Sequence, residues 1–199
     1  MKTKMLSIAL MFVVMSAITK STYATTVNTA ATILNDIKSI NKIELHGNVE
    51  LFISDNAAEQ VTVYNKYYAE NALVQNSKGV LRISSYGAEK LIIWVTSDNL
   101  SAISAYDNAE VRSFGDISKI EFNIDLHDNA TAKLNFNAYS ANVTLKDNAK
   151  IELGGNATHL NVNHTVGTTV NSYSIEAEHY TDNNVTRTFA KSKVLAGLE

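Results

Sequence analysis

The sequence contains no cysteine and no proline, and it has one tryptophan and eight glycines among 199 residues. Without cysteine the chain has no disulfide, no thiol nucleophile, no cysteine-ligated zinc and no lipoprotein anchor. Positive charge is not in surplus either, because the net charge is −3. A domain that binds nucleic acid normally carries a basic patch. The composition therefore predicts no nucleic-acid partner and an oxidising or thiol-free setting.

The first residues show the three parts of a secretory signal peptide. Lys2 and Lys4 supply the positive charge, residues 5–18 are apolar, and Thr22-Tyr23-Ala24 places small residues where signal peptidase cleaves. An apolar run of about 14 residues is too short to cross a bilayer. We expect a signal peptide at 1–24 and a mature chain without a transmembrane segment. Export would place it in the periplasm, on the outer-membrane surface or in the medium.

One tripeptide, Asp-Asn-Ala, occurs three times in the second half of the chain. Its aspartates are Asp107, Asp128 and Asp147, so the spacings are 128 − 107 = 21 and 147 − 128 = 19 residues. Apolar residues stand five and three positions before each asparagine and three positions after it. A turn between alternating strands that returns about every 20 residues is typical of a β-solenoid. The prediction is therefore an all-β chain with coils of about 20 residues.

The N-terminal half is also β in pattern, but less regular. Residues 43–53 form two alternating strands around Gly47-Asn48, and Leu91–Val95 is a continuous apolar run that indicates a strand buried on both faces. Ile120, Phe122, Ile124 and Leu126 alternate at period two, so we expect all four to face the core. We predict one domain over 37–190. The segment 186–199 has no coil pattern and is predicted as a cap, a short helix or a tail.

Stacked coils would place equivalent turn residues above one another. Asn108, Asn129 and Asn148 would form a structural turn column, in which asparagine tolerates the left-handed backbone and its amides hydrogen-bond along the stack. Asp107, Asp128 and Asp147 would form a parallel column of carboxylates. That column is a candidate calcium site, because Ca²⁺ takes several oxygen ligands. The alternative, which we favour, is that each aspartate caps its own turn through backbone N–H groups.

The sequence shows no motif of a catalytic or cofactor site. The five histidines have no metal-ligand spacing, and there is no nucleophile elbow, phosphate loop or dinucleotide fingerprint. We therefore predict no catalytic residue, no cofactor and no enzyme. Four tyrosines are candidates for stacking on sugar rings, although they do not form one row: Tyr106, Tyr139, Tyr173 and Tyr180.

Three segments resemble a known bacterial family. They are residues 43–51, residues 79–83 and residues 95–103, and the turns that follow keep the family's rhythm, with Asp-Asn-Ala where the family usually has Gly-Ser-Gly. The chain resembles the auto-transporter adhesin "head GIN" domain family, a domain of unknown function in secreted proteins of Bacteroidetes. The resemblance implies a right-handed parallel β-helix in an envelope or adhesive setting.

These observations predict an exported, non-enzymatic binding or adhesive module of the cell envelope. Its expected partners are a glycan or a cell-surface protein, together with a second copy that forms a homodimer through the solenoid ends. Two other functions stay open. One is a carbohydrate-active enzyme on a β-helix, since such scaffolds carry paired carboxylates. The other is a purely structural periplasmic protein.

Overall fold

The computed structural model describes residues 31–64 and 72–184. Strands make up 69% of this part and none of it is helical, which confirms the all-β prediction. The predicted signal peptide and the segment 186–199 lie outside the described residues. Among the residues described, no helix has the length and apolar character needed to cross a bilayer.

Thirteen strands form one sheet that curls into an open half-barrel. The N-terminal half contains β1 (Ala31–Ile33), β2 (Lys42–Gly47), β3 (Val49–Ser54), β4 (Gln60–Tyr64), β5 (Ala72–Ser77), β6 (Val80–Ser85) and β7 (Leu91–Thr96). The C-terminal half contains β8 (Ala102–Ala105), β9 (Glu110–Ser113), β10 (Ile117–Leu126), β11 (Thr131–Leu145), β12 (Lys150–His164) and β13 (Thr169–Asn184). The later strands are the longest because the repeat is regular there.

Successive repeats pair in parallel and in register. Ile103 of β8 lies beside Ile124 of β10, which lies beside Val143 of β11, and β12 continues the row with Val162. Each row places aliphatic side chains beside one another, so the inward side chains form a continuous apolar stack. These four residues are buried, and burial of apolar side chains of this size stabilises the fold by roughly 1.5–3 kcal/mol each.

In the N-terminal half, the order of the strands in the sheet differs from their order in the chain. β2 lies between β6 and β8, and β3 lies between β7 and β9, so the first coil is inserted between later ones. At the far end the antiparallel strands β4 and β5 cover β7 and β6, and β1 pairs with β4. Antiparallel partners of this kind protect a sheet edge that would otherwise pair with another chain.

Two expectations about burial are wrong. Ile120 is 82% exposed, whereas Phe122, Ile124 and Leu126 are buried as predicted. The reason is a corner in β10, because the ladder to β11 pairs Lys119 and Glu121 but not the residue between them. The strand changes direction at Ile120, so the alternation of inward and outward side chains shifts by one residue there.

The apolar run of β7 is also not buried on both faces. Leu91, Ile93 and Val95 face the core, while Ile92 and Trp94 point outward and are half-buried. An outward tryptophan on a central strand needs neighbours that cover it. Those neighbours form the candidate site described below.

Candidate functional site

The turn column predicted from the repeat is built around its aspartates. Asp107, Asp128 and Asp147 have φ of 60°, 56° and 60°, and the asparagines that follow are not in the left-handed region. The expectation that asparagine supplies the left-handed residue is therefore wrong. Asp and Asn share the short polar side chain that tolerates this backbone, and in each turn it is the first of the two that adopts it.

The carboxylates of this column receive backbone hydrogen bonds from the neighbouring coil. Gly47 N–H donates to Asp107 Oδ2 at 2.8 Å, Asp107 N–H donates to Asp128 Oδ2 at 3.0 Å, and Asp128 N–H donates to Asp147 Oδ2 at 3.4 Å. Each aspartate therefore caps the turn of the adjacent coil, whereas the favoured prediction had it cap its own. In residues 31–64 and 72–184 there is no group of three or more His, Asp or Glu side chains that could hold a metal ion.

The asparagines stack beside these carboxylates. Asn129 Nδ2 lies 3.4 Å from Asn108 Oδ1, and Asn148 Nδ2 lies 3.5 Å from Asn129 Oδ1. A second, half-buried row of asparagines within β10, β11 and β12 has shorter amide contacts, since Asn142 Nδ2 donates to Asn123 Oδ1 at 3.1 Å and Asn161 Nδ2 donates to Asn142 Oδ1 at 3.1 Å. Asn129 and Asn142, in the middle of the two rows, each donate to one neighbour and accept from the other. These ladders hold the repeats in register.

The tyrosines proposed for sugar stacking do not share a surface. Tyr106 is enclosed by imidazoles, since its ring stacks on His46 at 4.6 Å and on His127 at 4.7 Å between centroids. Tyr139 packs edge-on to His159. Tyr173 and Tyr180 lie on the last strand and are exposed. No two of these four rings are in contact within the described residues. Four of the five histidines that sequence spacing left unassigned pack against aromatic rings: His46, His127, His159 and His179.

A cluster of three other aromatic residues stands out on the outer face. Phe52 of β3 lies directly beside Trp94 of β7, with ring centroids 5.6 Å apart and planes at 18°. Phe114, which follows β9, packs on Trp94 at 5.0 Å and is itself 65% exposed. Trp94 Nε1 donates to Ser54 Oγ at 3.3 Å, which fixes the indole. The result is a rigid aromatic wall with one face open to solvent.

The wall borders a cleft of about 420 Å³. Gly154 lies in its lining, where a Cβ atom would meet Asn135 Oδ1 at 2.7 Å, so the missing side chain keeps this space open. The register between β12 and β13 shifts at the same place, as it does at a β-bulge. The cleft is lined by Phe52, Arg112, Ser113, Phe114, Gly115, Lys133, Leu134, Asn135, Glu152, Leu153, Gly154 and Ser174.

Charged side chains form the rim of the cleft, and they occur as ion pairs of opposite charge. Arg112 Nε lies 3.1 Å from Glu50 Oε1, and Lys133 Nζ lies 2.7 Å from Glu152 Oε1. Next to them, the hydrogen bond from Lys90 holds the pKa of Glu110 below its ordinary value, with the nearby positive charges adding to the effect. The rim therefore offers hydrogen-bond donors and acceptors of both signs around an aromatic wall.

Sequence reasoning missed this site for a physical reason. Phe52 and Trp94 are far apart in the chain, and they meet only because the β2–β3 coil is inserted between later coils. The one usable signal was Trp94 itself, a single tryptophan in the middle of an apolar strand. Its outward position follows from strict alternation with the buried Ile93 and Val95.

These features define an all-β protein of stacked parallel strands whose outer face carries an aromatic cleft. The chain belongs to the family described as "Putative auto-transporter adhesin, head GIN domain", whose model matches residues 39–188. This confirms the resemblance seen in the sequence. A search of curated proteins gives no match.

Solved structures with the same fold come from Parabacteroides species. An adhesin candidate from Parabacteroides merdae is 15% identical with a TM-score of 0.55, covering 76% of this chain and 75% of its own. A protein of Parabacteroides distasonis described as a lipid-binding candidate is 12% identical with a TM-score of 0.53, covering 76% of each chain. At these identities the likeness establishes the fold alone.

Proposed function

We propose that this chain is an exported, non-enzymatic binding module of the bacterial cell envelope. Its family is named for adhesins, and its N-terminus has the pattern of a signal peptide. We also propose that its coils wind as a right-handed parallel β-solenoid, which the parallel registers of the later strands support. The predicted solenoid provides a rigid rod on which side chains of one face stay fixed.

The ligand class we propose is an uncharged glycan bound at the aromatic cleft. The observation that carries this is the exposed face of Phe114, held by Trp94 and Phe52 beside a cleft of about 420 Å³. Sugar rings have an apolar face that packs on an aromatic ring and hydroxyl groups that hydrogen-bond to the surrounding polar atoms. Arg112, Lys133 and Glu152 surround the wall and can provide such partners.

An acyl chain fits this site less well. The structural neighbour described as a lipid-binding candidate raises that option. A hydrocarbon chain gains most when it is enclosed by apolar side chains, and burying the charged rim beneath it would cost desolvation energy. Here Lys133 and Glu152 lie at the cleft and pair with each other. A polar ligand keeps those groups hydrogen-bonded.

The test is a glycan array probed with the mature chain, followed by titration of any sugar that binds. Phe114→Ala removes the exposed ring and should weaken binding by roughly tenfold or more, in line with the loss of an aromatic anchor. Tyr139→Ala is the matched control, because that ring is 59% exposed and is not among the residues that line the aromatic cleft. If the Phe114→Ala variant bound the sugar as tightly as the parent, the cleft would be excluded as the binding site.

The remaining functions make different predictions in the same experiments. An enzyme would convert the bound glycan to smaller products, so chromatography of the incubated sugar decides between binding and turnover. A purely structural periplasmic protein would bind none of the sugars. Protease treatment of intact cells, with a periplasmic protein as control, tests location: cleavage supports a surface module, and full protection supports the periplasm.

A further inference from the structure

The last strand of the stack is paired on one side only within the described residues. β13 is 16 residues long and pairs with β12, while the opposite ends of the sheet are covered by antiparallel strands. Val170, Ile175 and Ala177 pack against the core from β13 but stay partly exposed. The apolar interior therefore reaches this end of the described stack without a closing layer.

The sequence of β13 lacks two of the residue types that most often protect an edge strand. Proteins keep such edges from pairing with other chains by placing lysine or proline on them, or by keeping them short. Thr169–Asn184 contains no lysine, no arginine and no proline. Its one irregularity, opposite Gly154, leaves a continuous register from Ser174 to Asn184. This long edge is suited to accept a further strand.

The charges along β13 indicate what kind of strand it accepts. Glu176, Glu178 and Asp182 are exposed, and His179 is the only side chain of the strand that could become a cation. Glu176, Glu178 and Tyr139 also line a separate open cleft of about 540 Å³, whose floor is the row of small residues ending in Ala177. No lysine or arginine lines that cleft.

We propose that the outer edge of β13 is a strand-addition site for an extended basic polypeptide segment. Backbone groups of the partner would continue the ladder, and its lysine or arginine side chains would face Glu176 and Glu178. Glu176 and Glu178 do not line the aromatic cleft, so this edge gives the module a protein partner in addition to a glycan. The partner is recognised by its extended backbone and its positive charge.

A second copy of this chain is a poorer occupant of the same edge. A symmetric dimer would place two β13 strands side by side, so the carboxylates of one copy would lie near those of the other. Like charges on neighbouring strands destabilise the pairing. A basic segment replaces this repulsion with attraction, and the effect weakens as salt increases. The predicted homodimer is therefore an outcome that the test must distinguish.

The experiment uses the full mature chain and a short synthetic peptide in which lysine alternates with valine. Binding is measured by calorimetry, and amide hydrogen exchange reports which backbone is protected. We expect protection of amides in β13 on binding. The double variant Glu176→Gln/Glu178→Gln should weaken binding by roughly tenfold, since each lost charge pair contributes up to about fivefold. Glu121→Gln, an exposed carboxylate on β10, is the matched control and should bind like the parent.

Two control peptides separate strand addition from simple charge attraction. The same peptide methylated on alternate backbone nitrogens keeps its charges but lacks half its donors, and it should not bind. A peptide of the same sequence with glutamate in place of lysine should also fail to bind. Equal binding of the methylated peptide, or binding without protection of β13, would overturn the proposal. So would concentration-dependent dimerisation of the chain that the peptide does not reverse.

Discussion

Asp128 links two coils, because its carboxylate accepts a hydrogen bond of 3.0 Å from the backbone N–H of Asp107 while its own φ is 56°. One side chain therefore fulfils two requirements. It tolerates the left-handed backbone that closes its own turn, and it satisfies a donor in the neighbouring turn. The aspartate of the repeated tripeptide is explained by this double role.

Replacing Asp128 separates the two roles. Asp128→Gly keeps the left-handed backbone but loses the acceptor, and it should lower the free energy of unfolding by about 1 kcal/mol. Asp128→Val loses the acceptor and adds strain, so it should cost roughly 2–3 kcal/mol. Chemical denaturation of the purified chain measures both.

Asn129→Val is the control for that pair. Asn129 is not in the left-handed region, and its amide contact to Asn108 is long at 3.4 Å. This variant should therefore cost less than Asp128→Val. The opposite order would mean that asparagine, and not aspartate, carries the strained conformation of the turn.

Two glycines with similar backbone angles should respond differently to alanine. Gly47 has φ of 83° and Gly115 has φ of 79°. A Cβ atom on Gly47 would clash with the Ser85 carbonyl oxygen, whereas one on Gly115 would meet none of the described residues within 4 Å. Gly115→Ala should cost about 1–2 kcal/mol from the left-handed backbone alone. Gly47→Ala should cost clearly more, because strands β2 and β6 must separate.

Thermal melts of the two glycine variants give the comparison. Equal losses of stability would show that close approach of β2 to β6 is not needed. A larger loss for the Gly115 variant would contradict the packing of the first coil against β6.

The regular part of the fold follows from local pattern. Ile124 and Val143 each stand five positions before the asparagine of their repeat, and both are buried as the pattern predicts. The position of the left-handed residue did not follow, because Asp128 and Asn129 are adjacent and either residue type tolerates that conformation. A sequence pattern identifies the turn, but it does not choose between two neighbours with similar backbone preferences.

The aromatic cleft depends on strand order, which local pattern does not contain. Phe52 and Trp94 are brought together by the insertion of the first coil between later coils. Parallel pairing between distant segments is decided by the whole packed sheet. The sequence could therefore predict which residues alternate on β3 and β7, but not that those two strands are neighbours.

The position of Val143 should not tolerate a charged side chain. Its side chain is 0% exposed in the centre of the stack, so Val143→Asp should cost several kcal/mol by burying a carboxylate without a partner. Val166→Asp makes the same chemical change at a turn position that is 77% exposed. It should leave the melting temperature within a few degrees of the parent. If both variants melt alike, the inward register of β11 is wrong.

The Lys90–Glu110 pair should give the stability a measurable dependence on pH. Lys90 Nζ lies 2.7 Å from Glu110 Oε1, and this hydrogen bond lowers the pKa of Glu110 in the folded chain. A carboxyl whose pKa is lower in the folded chain stabilises it above the unfolded pKa, about 4.3 for glutamate. That contribution is lost as the pH falls from there through the folded pKa. Lys90→Gln should therefore destabilise the chain at neutral pH and lose its effect in acid.

The measurement is denaturant unfolding of parent and variant between neutral and strongly acidic pH, together with an NMR titration of the Glu110 carboxyl. Lys38→Gln is the control, because Lys38 is exposed and forms no ion pair with the described residues. Both side chains of the Lys90–Glu110 pair are partly exposed, so salt should reduce the difference. If the Lys90→Gln variant were less stable than the parent by the same amount at every pH, its effect would come from lost packing, because a charge pair must weaken once the carboxyl takes up its proton.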